Sequence, residues 1–563
     1  SFPLVDMRNH QPSVAVLVTL VVVLYLCGGT VESHKDQPLS GIAIHETTFH
    51  LNDKAHVKAS PTLLGSNGQH SELVLVEFSS PHPSDEDWIG VFSPADFNVS
   101  TCPGDNKMVS PPRLSSAPIK FQYANFSNPR YNTTGTGSLK LQIINQRSDF
   151  SFALFSGGLL NPKLVAVSNK VAFENPNAPV YPRLALGKEW DEMTVTWTSG
   201  YGLKIAEPVV EWGVKGERKL SPAGTLTFAR NTMCGAPART VGWRDPGYIH
   251  TAFLKELWPN AKYTYRVGHR LSNDAFVWSK VYQFKSSPFP GQNSLQQVVI
   301  FGDMGKAEVD GTNEYNDFQR ASLNTTKQLI KDLKKTDAVF HIGDIYSGSF
   351  YQGLDSGGEC GVPAETIFYV PAQNRAKFWY SSDYGMFRFC VADTEHDWRE
   401  GTEQYKFIEQ CLASVDRKTQ PWLIFLAHRV LGYSSTSFYA EEGSFGEPMG
   451  RDSLQKLWQK YKSVCTSDEK TNYKGTFNGT IHIVAGGAGA GLAEFSDLQP
   501  NWSLVRDYDY GFLKLTAVDY SNLLFEYKKS SDGSVHDSFK ISRDYRDVLA
   551  CAVDSCPATT LAS

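Results

Sequence analysis

At residue 296 the sequence changes period, and that change limits what the chain can fold into. Upstream, short runs alternate apolar and polar residues between turn signals, the pattern of β-sandwiches. Downstream, continuous apolar runs such as QVVIFGD, DAVFHIGD, MFRFCVAD and PWLIFLAH alternate with the helical stretches TNEYNDFQRASLNTTKQLIKDLKK, EQYKFIEQCLASV and DSLQKLWQKYK. Strands alternating with amphipathic helices predict an α/β domain. A β-rich end (IHIVAGGAG, GFLKLTAV, NLLFEYKKS, DSFKIS) closes the chain. At 563 residues the chain is too long for one core, so three or four domains are expected.

The upstream half divides again. LVLVEFSS, DWIGVFS, IKFQYANFS, SLKLQIIN, SFALFSG and LVAVSNKVAF lie within residues 40–175 and predict one sandwich. Pro176, Pro179 and Pro182 in NPNAPVYPRL read as a stiff linker. A second β block follows over 177–288, in which a Trp-bearing strand (Val195, Trp197) and a Tyr-bearing strand (Tyr263, Tyr265) give a fibronectin-III-like pattern.

The first 33 residues predict a signal-peptide region. Arg8 and His10 precede the apolar stretch from Val14 to Cys27, and the small residues Gly28, Gly29 and Thr30 follow. The stretch is short for a bilayer crossing, which favours a secreted protein over a membrane anchor. Removing Cys27 leaves Cys102, Cys234, Cys360, Cys390, Cys411, Cys465, Cys551 and Cys556, an even set suited to disulfides in an oxidising compartment. N-glycosylation sequons stand at Asn98, Asn125, Asn132, Asn324, Asn478 and Asn501. A net charge of -5 with no Lys/Arg run argues against nucleic acid as a partner, and no membrane association is expected after signal removal.

Three downstream strands end in a metal-ligand residue: Asp303 in FGDMG, Asp344 in HIGDI and His428 in FLAHR. An aspartate after a glycine is by itself ordinary turn chemistry. Three ligand types at the carboxyl ends of three apolar strands, where open α/β sheets hold ligands, are a candidate metal site. Carboxylates with imidazole suit iron, zinc or manganese.

GDMG, GDI and AHRVLGYSS resemble the purple acid phosphatases, calcineurin-like metallophosphoesterases, and in particular the long plant members. DWIGVFSPADF, NTMCGAPARTVGWRDPGYIHTAFLKELWPN, DSGGECGVPAETIFYVP, DTEHDWREGTEQY and ISRDYRDVLACAVDSCP extend the likeness along most of the chain. The resemblance implies β-sandwich modules followed by an α/β metallophosphoesterase sandwich. Residues 40–175 would be an N-terminal Ig- or fibronectin-like sandwich, 177–288 the family's N-terminal fibronectin-III-like domain, 296–480 the phosphoesterase domain and 481–545 its C-terminal domain. It implies hydrolysis of phosphate monoesters, or of nucleotide and other phosphoanhydrides, at an Fe(III) plus divalent-metal pair (Zn, Mn or Fe). It also implies a secreted protein of the cell wall or apoplast, with the vacuole as the other compartment, and allows a homodimer. In the family pattern Asp303 and a tyrosine bind Fe(III), Asp344 bridges both ions, and an asparagine with His428 binds the divalent ion.

Two blocks of that pattern are missing here. Tyr346 follows Asp344 one position earlier than in G-D-x-x-Y, and the text then passes to SGSFYQGLDSGGECG without the strand ending G-N-H-[DE]. LQKLWQKYK passes to SVCTSDEKTNYKG without G-H-x-H. No histidine beyond Asp303 follows an asparagine, and no two form H-x-H. The expected metal residues are therefore Asp303, Asp344, Tyr346 and His428, with the catalytic residues unassigned. Asp393 or His396 of DTEHDW could substitute as a ligand, although a purely structural role suits that block better. Excision of two blocks between intact flanks predicts a truncated phosphoesterase sheet with impaired activity.

Overall fold

A computed structural model describes residues 47–49, 51–95, 113–114, 117–305, 308–313, 318–343, 348–349, 354–355, 358–428, 453–457, 472–474, 481–495 and 503–542, with positions 237, 241, 375, 376, 395, 455 and 493 excepted. Asp344 and Tyr346 lie outside the described residues, as do the apolar stretch 14–27, Asn98, Asn478 and Asn501.

The first unit is a β-sandwich. Its smaller sheet joins His56–Ser60, β1 (Ser71–Ser79) and the strand Thr136–Ile144. Its larger sheet ends in β2 (Trp88–Phe92) followed by β3 (Lys120–Tyr123), with β5 (Ser151–Ser156) on the other side of β2; Thr136–Ile144 is β4. Alternation in SELVLVEFS sends Val74, Val76 and Phe78 inward against Leu139, Leu141 and Ile143 of β4 and Phe152 and Leu154 of β5. Trp88 stacks on Phe155 with centroids 4.1 Å apart, so the outer face of the larger sheet is apolar too.

The middle unit packs a four-stranded sheet on a five-stranded one. β6 (Met193–Ser199) and β8 (Tyr248–Leu254) belong to the first, β7 (Ala206–Gly213) and β9 (Lys262–Leu271) to the second. The fibronectin-III-like expectation holds: Val195 and Trp197 are fully buried, and Tyr263 and Tyr265 pack in the same core. The Tyr263 hydroxyl accepts from the Trp258 amide at 2.9 Å, five residues upstream, as in a tyrosine corner. The stiff linker expected at Pro176–Pro182 is shorter than predicted. Strand Val180–Leu186 begins inside it and pairs with β6 on one side only, an edge position where the missing N–H of Pro182 is tolerated.

Two buried histidines bridge the sheets of this unit. His250 of β8 and His269 of β9 have ring centroids 4.8 Å apart. Ser199 Oγ lies 2.8 Å from His250 Nε2 and 3.0 Å from His269 Nε2, and Thr225 Oγ1 lies 2.8 Å from His250 Nδ1. Two proton arrangements fit these contacts: either His250 Nδ1 donates to Thr225, Ser199 to His250 Nε2 and His269 Nε2 to Ser199, or Thr225 donates to His250 Nδ1, His250 Nε2 to Ser199 and Ser199 to His269 Nε2. His269 Nδ1 then remains buried without a partner among the described residues.

The third unit is an α–β–β–α sandwich. β10 (Gln296–Phe301), α1 (Phe318–Asp332), β11 (Ala338–His341), β12 (Tyr380–Tyr384), β13 (Phe387–Val391), α2 (Glu403–Ser414) and β14 (Trp422–Leu426) follow the alternation read from the sequence. β15 (Gly511–Asp519), β16 (Asn522–Lys529) and β17 (Val535–Ser542) complete it. One sheet runs β11-β10-β15-β16-β17 and ends in Asn472–Lys474; the other runs β12-β13-β14. Val298, Ile300, Phe340, Phe387, Phe389 and Leu515 fill the space between them. Leu329 of α1 packs against Val299, Phe301 and Phe512 on the outer face of the first sheet, and Ile408, Cys411 and Leu412 of α2 cover the second. Thr402 caps α2 by accepting from the Tyr405 amide.

One strand assignment needs correction. IHIVAGGAG was expected to be a strand, but residues 481–489 form none, and Ile483 and Val484 are exposed. Its three glycines disfavour a strand, and its backbone instead bonds the end of β10.

Two disulfides form among the described residues. Cys390–Cys411 ties β13 to α2, and Cys234–Cys360 joins the middle unit to the third, with Cys234 and Gly235 amides both bonding the Gly358 carbonyl.

Candidate metal centre

The ends of β10, β11 and β14 meet. β10 and β11 run parallel with Phe301 opposite His341, and the Ile342 amide bonds the Phe301 carbonyl at 2.8 Å. Asp303 follows at a left-handed φ of 57°, uncommon for a residue with a side chain, and the turn directs the chain away from the sheet. Its carbonyl accepts from the Ala490 amide at 2.8 Å, and Gly302 exchanges backbone bonds with Ala485 and Ala488. A Cβ on Gly486 would lie 2.8 Å from Asp303 Oδ2, so that glycine is what lets the carboxylate reach across.

His428 arrives from β14. Its Nδ1 lies 3.2 Å from the Ile342 carbonyl oxygen. A carbonyl only accepts, so Nδ1 carries the proton, and Nε2 of the neutral ring is the lone-pair nitrogen that a cation takes. The ring lies over Gly343, whose φ is 82° and where a Cβ would fall 2.1 Å from the imidazole Cγ. The residue after Gly343 is Asp344. Asp303 and His428 are thus held around one strand corner, and Asp344 continues from that corner, although its placement and that of Tyr346 lie outside the described residues. Among the described residues no group of three His, Cys, Asp or Glu side chains is disposed around a common metal position.

Asp393 and His396 are engaged with each other and with α2. His396 Nδ1 lies 2.6 Å from Asp393 Oδ2, and Gln404 holds the Asp393 amide through its Oε1 and the Asp393 and His396 carbonyls through its Nε2. DTEHDW is a turn fastened to a helix. Of the sequons, Asn132 is exposed and Asn125 and Asn324 are partly buried. Sequence reasoning did not single out Gly343 and Gly486, the two glycines that admit the ligands; the GD doublet and the AGGAG run were the available signals.

Comparison with known proteins decides the family. Residues 57–175 match the model described as Fn3-like domain from Purple Acid Phosphatase, 179–286 that of the Purple acid Phosphatase N-terminal domain, and 479–538 that of Iron/zinc purple acid phosphatase-like protein C. The chain belongs to the purple acid phosphatases. It is 80% identical to the Probable inactive purple acid phosphatase 1 of Arabidopsis thaliana, across 98% of this chain and 100% of that protein. It is 55% identical to the Nucleotide pyrophosphatase/phosphodiesterase of Hordeum vulgare across 52% of this chain and 95% of that one. A solved purple acid phosphatase from yellow lupin (Lupinus luteus) seeds superposes with a TM-score of 0.83 at 64% identity, covering 91% of this chain and all of the other. The alignment with the Arabidopsis purple acid phosphatase runs over 613 positions, more than the 563 residues of this chain. That relative therefore carries residues with no counterpart here.

Proposed function

We propose that this chain is a secreted purple acid phosphatase impaired in hydrolysis, which keeps a weak mononuclear site for a divalent cation. The observation that carries the reading is the absence, beyond Asp303, of any histidine following asparagine or forming H-x-H. An alignment longer than the chain supports the loss of whole segments. The apolar stretch after Arg8, the sequons and two disulfides support secretion.

The donor chemistry fits one Zn(II) or Mn(II): carboxylates of Asp303 and Asp344, the Nε2 of His428, and Tyr346 as a fourth donor. Such an ion, when bound, would polarise a phosphoryl oxygen and acidify a bound water. The chain's own contribution is orientation. The Ile342 carbonyl fixes the His428 tautomer, and Gly343 and Gly486 leave room for the ligands to close. What it lacks are the G-N-H-[DE] and G-H-x-H segments of the family pattern, and with them a second ligand set.

p-Nitrophenyl phosphate turnover by the purified chain, set against a version with both segments restored, tests the reading. Turnover orders of magnitude below the restored version is expected, whereas equal rates would overturn it. In calorimetric titration with Zn(II), Asp344→Asn should weaken binding most and Asp393→Asn should change little. A parent chain that binds no metal defeats the mononuclear site.

A further inference from the structure

Five to ten residues beyond Asp303, the chain docks on the first sandwich. β3 is the terminal strand of its sheet, and its open side is covered by that loop: the Phe121 amide donates to Asn313 Oδ1 at 3.0 Å and the Asn313 amide to the Phe121 carbonyl at 3.1 Å. Beside this pairing Lys120 reaches across. Its Nζ lies 2.9 Å from Asp310 Oδ2 and 3.1 Å from Glu308 Oε2, with the Lys120 and Asp310 side chains only 8% and 2% exposed. The same Asp310 oxygen accepts from the Gln142 amide at 2.7 Å, and its partner oxygen accepts from the Thr312 amide and hydroxyl. Gln122 Nε2 donates to the Gly311 carbonyl, and Gly311, at φ 78°, presses so close to the Phe126 ring that a Cβ would fall 2.6 Å from it. Burial opposes the Asp310 carboxylate, yet the Thr312 hydrogen bond and the Lys120 ammonium hold it below the usual carboxylate range.

We propose that Lys120 is a positioning residue for the Asp303 corner: from the first sandwich it fixes the loop 308–313, and through it the path of the chain leaving β10. Lys120 and Asp310 are nearly dry, and Lys120 is the cation that faces Asp310, so removing Lys120 leaves a buried carboxylate without its counter-charge. A surface pair of the same length would carry no such obligation. The first sandwich therefore works as a fixed wall of the phosphoesterase domain instead of a tethered module. Calling Asp303 a ligand rests on the functional reading above, but the coupling is read through backbone protection without any metal, so the two can fail separately.

Hydrogen exchange followed by mass spectrometry on the full chain tests it, comparing the parent with Lys120→Met and Lys120→Arg. Lys120→Met should speed exchange over residues 302–313 by about a hundredfold, while Lys120→Arg stays near the parent and residues 194–199 of β6 do not change in either. Unchanged exchange at 302–313, an equal rise at 194–199, or a Lys120→Arg variant as loose as Lys120→Met would each overturn the proposal. Should Lys120→Met fail to fold, the double variant Glu308→Gln with Asp310→Asn reads the same cluster from the other side. It should produce the same local acceleration, and parental exchange there overturns the proposal equally.

Discussion

His250 and His269 show how a residue pair can set a property of the whole chain. Burial, joined for His250 by the neighbouring His269, lowers their pKa values from 6.5 to about 3 and about 4. Groups depressed in the folded state contribute stability that is complete above the unfolded value of 6.5 and is lost as pH falls towards the folded values, because only the unfolded chain takes up the protons. Thermal unfolding should therefore become easier between pH 6.5 and 4, by on the order of 1.4 kcal/mol per unit for each histidine at the steepest. His269→Leu, which also removes the unpaired Nδ1, should reduce that slope by about half; a slope identical to the parent's would contradict the assignment. At the metal corner, Gly343→Ala places a Cβ against the His428 ring at a left-handed φ. It should cost about 1–3 kcal/mol and lower Zn(II) affinity about tenfold or more, measurable by denaturant titration and calorimetry.

Among the elements, β11 is placed against the expectation from its sequence. DAVFHI reads as a strand apolar on both faces, the composition of a central parallel strand, yet among the described residues β11 is the terminal strand of its sheet and Val339 is 51% exposed. Ile330 and Leu333, at the end of α1 and just beyond it, are exposed as well. Val339→Lys should reduce concentration-dependent light scattering on heating while changing stability by no more than about 0.5 kcal/mol, since a charge on an open edge discourages strand pairing between molecules. Unaltered scattering would show that this edge takes no part in association. The strands QVVIF, AVFH, FRFCV and WLIFL were legible because continuous apolar runs of that length have few other uses. IHIVAGGAG misled because its opening four residues look like a strand, whereas Ala485 and Ala488 bond Gly302 beyond the end of β10. The histidine pair and the Lys120–Asp310 clamp left no sequence signal: each joins residues brought together only by sheet packing, in the second case 190 positions apart. The placement of Asp303 and His428 at the ends of strands was readable because a polar residue closing an apolar run is a local pattern.

For the whole molecule, stability is a small difference of about 5–15 kcal/mol per domain, so an open sheet edge is a large share of what the third unit has to spare. Restoring both missing segments should raise the melting temperature of that unit and leave the middle sandwich's transition where it was. Calorimetry on the two chains decides this, and coincident traces would mean that the shortened sheet has found full compensation. The staple between Cys234 and Cys360 spans 126 residues and connects the middle sandwich to the phosphoesterase domain. It makes that stretch, β10 and Asp303 included, a covalently closed ring. A protease that cuts the backbone once anywhere inside the ring produces two polypeptides but still one molecule. Digested protein would run at full mass until a reductant is added, and only then fall into fragments.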